Sequence, residues 1–202
     1  MQLSTRFLVV CTVLALTAMG ASAQNILTNG DFETGDLTGW VVFGASPSSA
    51  VTVHSPDNGP SAPGTHNAFL DNQAEALGLG LKQTTVPGSA TEGEVFYSFD
   101  LKLDSADVGG VLFVEIFAEQ SGVGIVGGSG LMGPFWPWNV WETTASSFIA
   151  PTGTDFLTIQ FVATTGATTG SNCVAHVDNV SLYQSVSPVE SSTWSAVKAL
   201  YR

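Results

Sequence analysis

The sequence predicts an all-β protein, an antiparallel β-sandwich of the jelly-roll type. In residues 95–104 (VFYSFDLKLD), apolar and polar positions alternate with a period of two, as in a strand with one buried face. Residues 156–163 repeat this period. Gly, Pro, Ser, Thr and Asn separate such runs as turn signals. Roughly eight or nine short strands with regular turns, and no convincing helix within residues 25–183, are typical of sandwiches and jelly rolls.

The strands follow one another with short connections, apart from two glycine- and proline-rich stretches. Residues 55–67 (SPDNGPSAPGTHN) predict a long loop, after which the apolar run 68–71 begins. Residues 122–133 contain six glycines and predict either a long loop or a weak edge hairpin. In chain order, the predicted strands cover residues 25–27, 40–43, 51–54, 78–86, 95–104, 111–119, 141–150, 156–163 and 175–183.

Alternation along these strands predicts which side chains face the core. Trp40, Phe99 and Phe161 are the large aromatic residues expected to be mostly buried. Gln83 is a candidate inward-facing polar residue, because it continues the alternation of two leucines. The other inward positions are Leu79, Leu81, Val95, Tyr97, Leu101, Leu103, Leu112, Val114, Ile116, Ala118, Leu157 and Ile159.

Both ends of the chain differ from the domain between them. Residues 1–23 have a positive start, a short apolar run and an Ala-Ser-Ala cleavage site, which predict a secretory signal peptide; an uncleaved membrane anchor is the alternative. Residues 24–183 are the predicted domain. Residues 184–202 form a predicted linker and tail with helical spacing, resembling the sorting tails of secreted proteins in some Gram-negative bacteria. A last helix docked on the sandwich, or a frayed tail, is the alternative.

Charge and cysteine content exclude several function classes. Without residues 1–23, the chain has 202 − 23 = 179 residues, enough for one domain with a sizeable core. Its four basic and 17 acidic residues give a net charge of 4 − 17 = −13. Nucleic acids and anionic membranes call for basic patches, so neither is expected as a partner. Cys173 is the one cysteine left, which rules out an internal disulfide and predicts a small buried side chain.

Four segments in order resemble carbohydrate-binding modules of families four, nine and twenty-two, within the galactose-binding-domain-like jelly rolls. They are LTNGDFETGDLTGW at residues 27–40, GTHNAFL at 64–70, VWETTASSFIAPTGTDFLTIQF at 140–161 and HVDNVSL at 176–182. The resemblance covers roughly residues 25–183. It implies the sandwich fold and a non-catalytic module that binds a polysaccharide or cell-surface glycan.

The resemblance also implies a structural calcium ion near the chain ends. In the family, the Glu after the opening Asp-Phe and the Asp of the closing strand often hold calcium; here these are Glu33 and Asp178. Asp31 and Gly64 would add main-chain carbonyl oxygens, ligands that suit this hard cation. The closing motif is Asp-Asn where the family often has Asp-Asp, which weakens the match. The alternative is that both acids are solvated turn residues.

Aromatic residues in the segment Gly-Pro-Phe-Trp-Pro-Trp-Asn are the candidate ligand site. The two prolines stiffen the segment, and Trp136 and Trp138 would share one side if it is extended, with Phe135 on the other. Two exposed rings on a rigid loop would form a platform for sugar stacking; the alternative is that they cap the core. Trp40 and Trp141 fall where the family has core tryptophans.

Catalysis has little support in the sequence. The acid pairs Glu92/Glu94 and Glu115/Glu119 are explained as solvent-facing strand positions, and the three histidines lack metal-ligand spacing. The sequence therefore predicts a secreted, calcium-stabilised, non-catalytic glycan-binding protein. The alternative is a structural or adhesive surface protein that keeps the fold without a glycan site.

Overall fold

Two antiparallel sheets face each other in a computed structural model that describes residues 24–136 and 139–184. Sheet A has the order β1-β4-β10-β6-β7, with β8 also paired to β6, and sheet B has the order β2-β3-β11-β5-β9. The strands are β1 Val41–Phe43, β2 Ser49–His54, β3 Asn67–Asn72, β4 Gly78–Thr84, β5 Gly93–Ser105, β6 Val111–Gln120, β7 Gly124–Gly128, β8 Met132–Phe135, β9 Glu142–Ala150, β10 Phe156–Thr164 and β11 Cys173–Gln184. The described residues contain no helix, so none of them forms a helix that crosses a membrane. The predicted all-β jelly-roll sandwich is confirmed.

Inward faces of the strands form one hydrophobic core between the sheets. All five predicted positions of β5 are buried, as are those of β6 and β10. Phe99 and Phe161 are fully buried and meet edge to face at the centre, with ring centroids 5.4 Å apart. Trp40 extends this aromatic contact from Phe161 to Phe32. The period-two prediction of the core is therefore confirmed.

Gln83 is the buried polar residue that the alternation of β4 predicted to face inward. Its side chain accepts a hydrogen bond from the Thr28 amide at 2.7 Å and donates one to the Thr28 carbonyl at 2.8 Å. It is 4 % exposed, and both halves of its amide are satisfied. Gln83 thus ties the N-terminal segment to sheet A.

Three expectations need correction or refinement. Residues 25–27 are not a strand: the Ile26 amide donates to the Leu182 carbonyl, but the Leu182 amide donates to the Asn25 side chain, which interrupts a main-chain ladder. Trp141 does not belong to the core, because it lies half-buried on the outer face of sheet B. The glycine-rich stretch forms the edge strands β7 and β8, as the hairpin alternative predicted.

Cys173 is fully buried at the start of β11. Burial raises the pKa of its thiol to about 12, so the nucleophilic thiolate is scarce at neutral pH. This agrees with its interpretation as a small buried side chain. The proposed signal peptide and residues 185–202 of the proposed linker and tail lie outside the described residues, whereas Gln184, predicted to begin the linker, is the last residue of β11.

Candidate functional site

The outer face of sheet B carries polar side chains that a second layer of chain partly covers. On β5, the outward positions alternate with the core positions, and Asp100 lies directly opposite Asp178 of β11. Loop 55–66 crosses this face and covers both aspartates, so that each is at most 1 % exposed. Two adjacent carboxylates therefore lie beneath a loop on the outer side of a sheet.

Asp100 anchors the loop by accepting four hydrogen bonds. Its Oδ2 accepts from the Ser61 amide and from Asn179 Nδ2, both at 2.8 Å. Its Oδ1 accepts from the hydroxyl groups of Ser61 and Thr143, both at 2.6 Å. A Cβ at Gly59 would collide with this carboxylate, so the loop approaches closely only because glycine stands there.

Asp178 holds the same loop from the neighbouring strand. Its Oδ2 accepts from the Gly59 amide at 2.7 Å, and its Oδ1 accepts from the Asn179 amide at 2.7 Å. A β-bulge follows it, since three steps on β11 from Asp178 oppose two steps on β5. Asn179 absorbs the extra residue with a φ of 50°, in the left-handed region that Asn tolerates.

Glu33 fastens the end of the loop. Its Oε1 accepts from the amides of Thr65 at 2.6 Å and His66 at 2.8 Å, and it lies so close to Gly64 that a Cβ there would be 2.6 Å away. The hydrogen bond from the Thr65 amide lowers the pKa of Glu33, and burial opposes it. Asp31 precedes it, and its Oδ1 accepts from the Glu33 amide at 3.4 Å.

The pKa of Asp178 is raised to about 7. Burial is the largest cause, and the nearby charges of Asp100 and Glu33 raise it further, against the two amides that donate to it. The described residues contain no group of three or more His, Cys, Asp or Glu side chains arranged to hold a metal. A calcium ion here would have to be held by two carboxylates and main-chain oxygens. Glu33 lies against Gly64 and near Asp31, and its charge acts on Asp178, so a cation here would offset negative charge.

A groove opens on the outer face of sheet B beside Ser61 and Ala62 of loop 55–66. Two cavities of about 360 and 470 Å³ adjoin, because Ser98 and Tyr183 line both. We call their union the sheet B groove. It runs across the strands from Asp31 and Ser61 at one end to Phe96 and Ser147 at the other. The remaining lining residues are Asn25, Leu27, Asn29, Gly30, Ala62, Tyr97, Ala145, Ser146, Asn179, Val180 and Ser181.

The groove combines aromatic rings with hydroxyl groups. Phe96 and Tyr183 are paired across β5 and β11, and Phe96 is 42 % exposed. Next to them, the hydroxyl groups of Ser98 and Ser181 are 2.7 Å apart. Rings offer an apolar surface to C–H groups, while hydroxyl groups both donate and accept hydrogen bonds. The sheet B groove is therefore suited to an amphipathic ligand rich in hydroxyl groups.

The predicted aromatic platform is only partly within the described residues. Trp136 is 62 % exposed, as a stacking residue should be. Phe135 is half-buried, and its ring meets that of Phe99 at 6.4 Å, so it packs towards the core on the side opposite solvent. Trp138 lies outside the described residues.

Trp141 contributes to a separate polar layer beyond the loop. Its Nε1 donates to Asp57 Oδ1 at 3.0 Å, and its ring lies 5.4 Å from the Lys102 amine, which also pairs with Asp57. His176 lies against the same ring, 5 % exposed. These contacts hold the start of loop 55–66 on sheet B and occupy the face beyond the groove.

Sequence reasoning missed the groove. Phe96 stands at a solvent-facing position of the alternating strand β5, where a polar residue is the norm, and this was the one local signal. Tyr183 gave no signal of its own, because its place beside Phe96 depends on the register of β11 against β5.

No protein-family model and no curated protein matches the chain. Solved structures do. A tailspike protein of bacteriophage CBA120, in its enzymatically active domain, superposes with a TM-score of 0.64 at 15% identity over 79% of this chain and 21% of that one. This chain therefore spans about a fifth of the tailspike structure.

Two further matches cover nearly the whole of the other chain. The carbohydrate-binding module TmCBM61, in complex with β-1,4-galactotriose, gives a TM-score of 0.56 at 15% identity over 80% of this chain and 99% of that one. A Stig cyclase from Fischerella sp. TAU gives 0.57 at 18% identity over 80% and 97%. Modules of families 22 and 16 match at TM-scores of 0.51 to 0.56. The chain thus has the jelly-roll fold of carbohydrate-binding modules, a fold that enzymes also use.

Proposed function

We propose that this chain is a secreted, non-catalytic glycan-binding module that holds a polysaccharide in the sheet B groove. The observation that carries the proposal is the pair of aromatic residues, Phe96 and Tyr183, beside the hydroxyl groups of Ser98 and Ser181. A sugar ring has an apolar C–H face and a rim of hydroxyl groups, so it matches both features of this groove.

The structural neighbours support this class of ligand. TmCBM61 is in complex with a galactotriose, and a neighbour from Paenibacillus barcinonensis is a xylan-binding domain. Both statements concern those proteins, and neither sugar is assigned to this chain. The exposed Trp136, with Trp138, remains the second proposed contact for glycan.

Glycan binding should depend on the groove aromatics. Phe96→Ala and Tyr183→Ala are each expected to weaken binding roughly tenfold, or about 1.4 kcal/mol, because each removes a ring that stacks on sugar. Isothermal titration against polysaccharides selected by pull-down from a neutral and acidic panel measures the effect. Trp136→Ala and Trp138→Ala, measured in the same way, test the predicted aromatic platform.

The matched control is Phe117→Ala, which removes a half-buried phenylalanine from the outer face of sheet A. It should leave glycan affinity unchanged. If only the Trp136 and Trp138 variants lose affinity, the binding site is the predicted aromatic platform and not the sheet B groove. If the wild type retains no glycan, the structural or adhesive surface function replaces the proposal. Release of new reducing ends from a bound polysaccharide would contradict the non-catalytic part.

We also propose that calcium stabilises the fold through Glu33 and Asp178, with carbonyl oxygens of Asp31 and Gly64. Two observations support the fit: Glu33 lies against Gly64, and the buried Asp178 carries a pKa raised by burial and neighbouring carboxylates. The ion would supply positive charge that favours the ionised form of the buried Asp178 carboxylate, whose pKa is raised.

Calcium at a hundred times its dissociation constant should add about 2.7 kcal/mol to the free energy of unfolding, which raises the melting temperature by roughly 5–10 °C. Thermal melts in calcium and in chelator measure the difference. Asp178→Asn should abolish it, whereas Glu75→Gln, at an exposed carboxylate elsewhere, should keep it. Equal melting temperatures in calcium and chelator would contradict the metal site.

A further inference from the structure

We propose that the sheet B groove selects uncharged polysaccharides over acidic ones. This inference rests on the proposed function and adds the charge class of the ligand. It concerns glycans that share a backbone and differ in whether they carry carboxylate or sulfate groups.

The described lining residues of the groove include no basic side chain. Of the lysines and arginines in the described part of the chain, Lys82 lies over Phe43 on sheet A. Lys102 pairs with Asp57 and lies over Trp141, beyond loop 55–66. Acidic glycans are normally recognised through Arg or Lys, and the described groove presents neither.

Carboxylates lie at both ends of the groove. Asp31 lines one end and is exposed. Behind Ser61, at the same end, Asp100 lies under the loop. At the opposite end, the Ser147 hydroxyl donates to Glu94 at 2.8 Å, which places a third carboxylate beside the lining. A chain of uronic acids or sulfated sugars would therefore meet like charges at both ends of the groove.

The expected electrostatic repulsion is strong enough to weaken the binding of acidic polysaccharides but too weak to prevent it. The Debye screening length is about 10 Å at 0.1 M salt and about 3 Å at 1 M. Like charges less than about 10 Å apart therefore repel at low salt, and high salt screens most of this repulsion. An acidic polysaccharide carries many negative charges, so several weak repulsions with the groove carboxylates add together. A calcium ion bound by Glu33 and Asp178 would offset the charge of those two residues. The side-chain carboxylates of Asp31, Asp100 and Glu94 are not among its proposed ligands, so they would still repel an acidic polysaccharide.

The test uses matched polysaccharide pairs with the full chain: hydroxyethyl cellulose with carboxymethyl cellulose, and methyl-esterified with de-esterified homogalacturonan. Affinity electrophoresis at low and high salt gives the ratio of the two affinities within each pair. We expect the neutral member of any bound pair to bind at least tenfold more tightly at low salt. High salt should narrow this ratio at least threefold.

Three variants separate the groove from the overall negative charge. Ala145→Lys places a positive charge on an exposed lining position and should narrow the ratio at least threefold. Ala145→Gln adds similar bulk without charge and should leave the ratio unchanged. Val41→Lys adds the same charge to an exposed position of sheet A, opposite Lys82, and should also leave it unchanged. Thermal melts of all variants verify folding.

Several results would overturn the inference. Equal or tighter binding of the acidic member does so while leaving the proposed glycan function intact. So does acidic binding that appears only in calcium and vanishes with chelator, because the metal would then bridge the ligand. A ratio that Ala145→Lys leaves unchanged, or that Val41→Lys narrows equally, removes the role of the groove. Binding to neither member of either pair removes the inference, and it removes the proposed function as well when the pull-down panel yields no bound polysaccharide.

Discussion

Replacing Phe161 by alanine is expected to lower the free energy of unfolding by about 3–5 kcal/mol, as large aromatic truncations in cores do. Phe161 is fully buried, and its ring centroid lies 5.4 Å from that of Phe99 and 6.3 Å from that of Trp40. The truncation leaves a cavity between the sheets, where β10 lies in the middle of sheet A. Since whole domains are stable by only about 5–15 kcal/mol, this variant should lose much of its stability.

Urea unfolding measures this loss as a lower midpoint at an unchanged slope. Phe117→Ala is the control on the same sheet, because Phe117 faces outward and is half-buried. Its cost should be clearly smaller. A cost below about 1 kcal/mol for Phe161→Ala would mean that the inward face of β10 is wrongly assigned.

Replacing Asp100 by alanine is expected to cost about 3 kcal/mol and to release the Ser61 segment of loop 55–66 from sheet B. Four donors lose their acceptor, a fully buried carboxylate, and hydrogen bonds to charged groups contribute about 1.5–3 kcal/mol to stability. Hydrogen exchange of the Ser61 amide should become much faster, because its acceptor is gone. Release of this segment also removes Ser61 and Ala62 from the groove lining.

The control for this prediction is Asp71→Ala on the same face of sheet B. Asp71 accepts one side-chain hydrogen bond, from Gln73 Nε2 at 2.7 Å, and is partly exposed, so its removal should cost less than about 1 kcal/mol. Both variants are compared at one calcium concentration. Equal costs, or an unchanged exchange rate at Ser61, would show that Asp100 does not hold the loop.

Local patterns of the chain were sufficient for the core. Alternation in β5 predicted that Phe99 faces inward, and alternation in β4 predicted that Gln83 does so although it is polar. A strand has a fixed period of two, so a few neighbouring residues reveal which side is buried. The sequence therefore predicted the fold class and the buried faces.

Residues outside regular strands were harder to place. Residues 25–27 resemble a strand, but the Asn25 side chain takes the Leu182 amide that a main-chain ladder would use. Trp141 resembles a core tryptophan, but a carboxylate at Asp57 and the Lys102 amine hold it on the outer face. In both cases a partner distant in sequence decided the outcome.

The sequence alone determined a β-sandwich with alternating buried faces and an acidic surface. Tertiary structure decided the candidate site. Phe96 and Tyr183 are 87 positions apart (183 − 96) and become neighbours only through the pairing of β5 with β11. Asp100 and Asp178 likewise meet by that register and are then buried by loop 55–66. Register is set by the summed packing of whole strands against a common core, which no short segment contains.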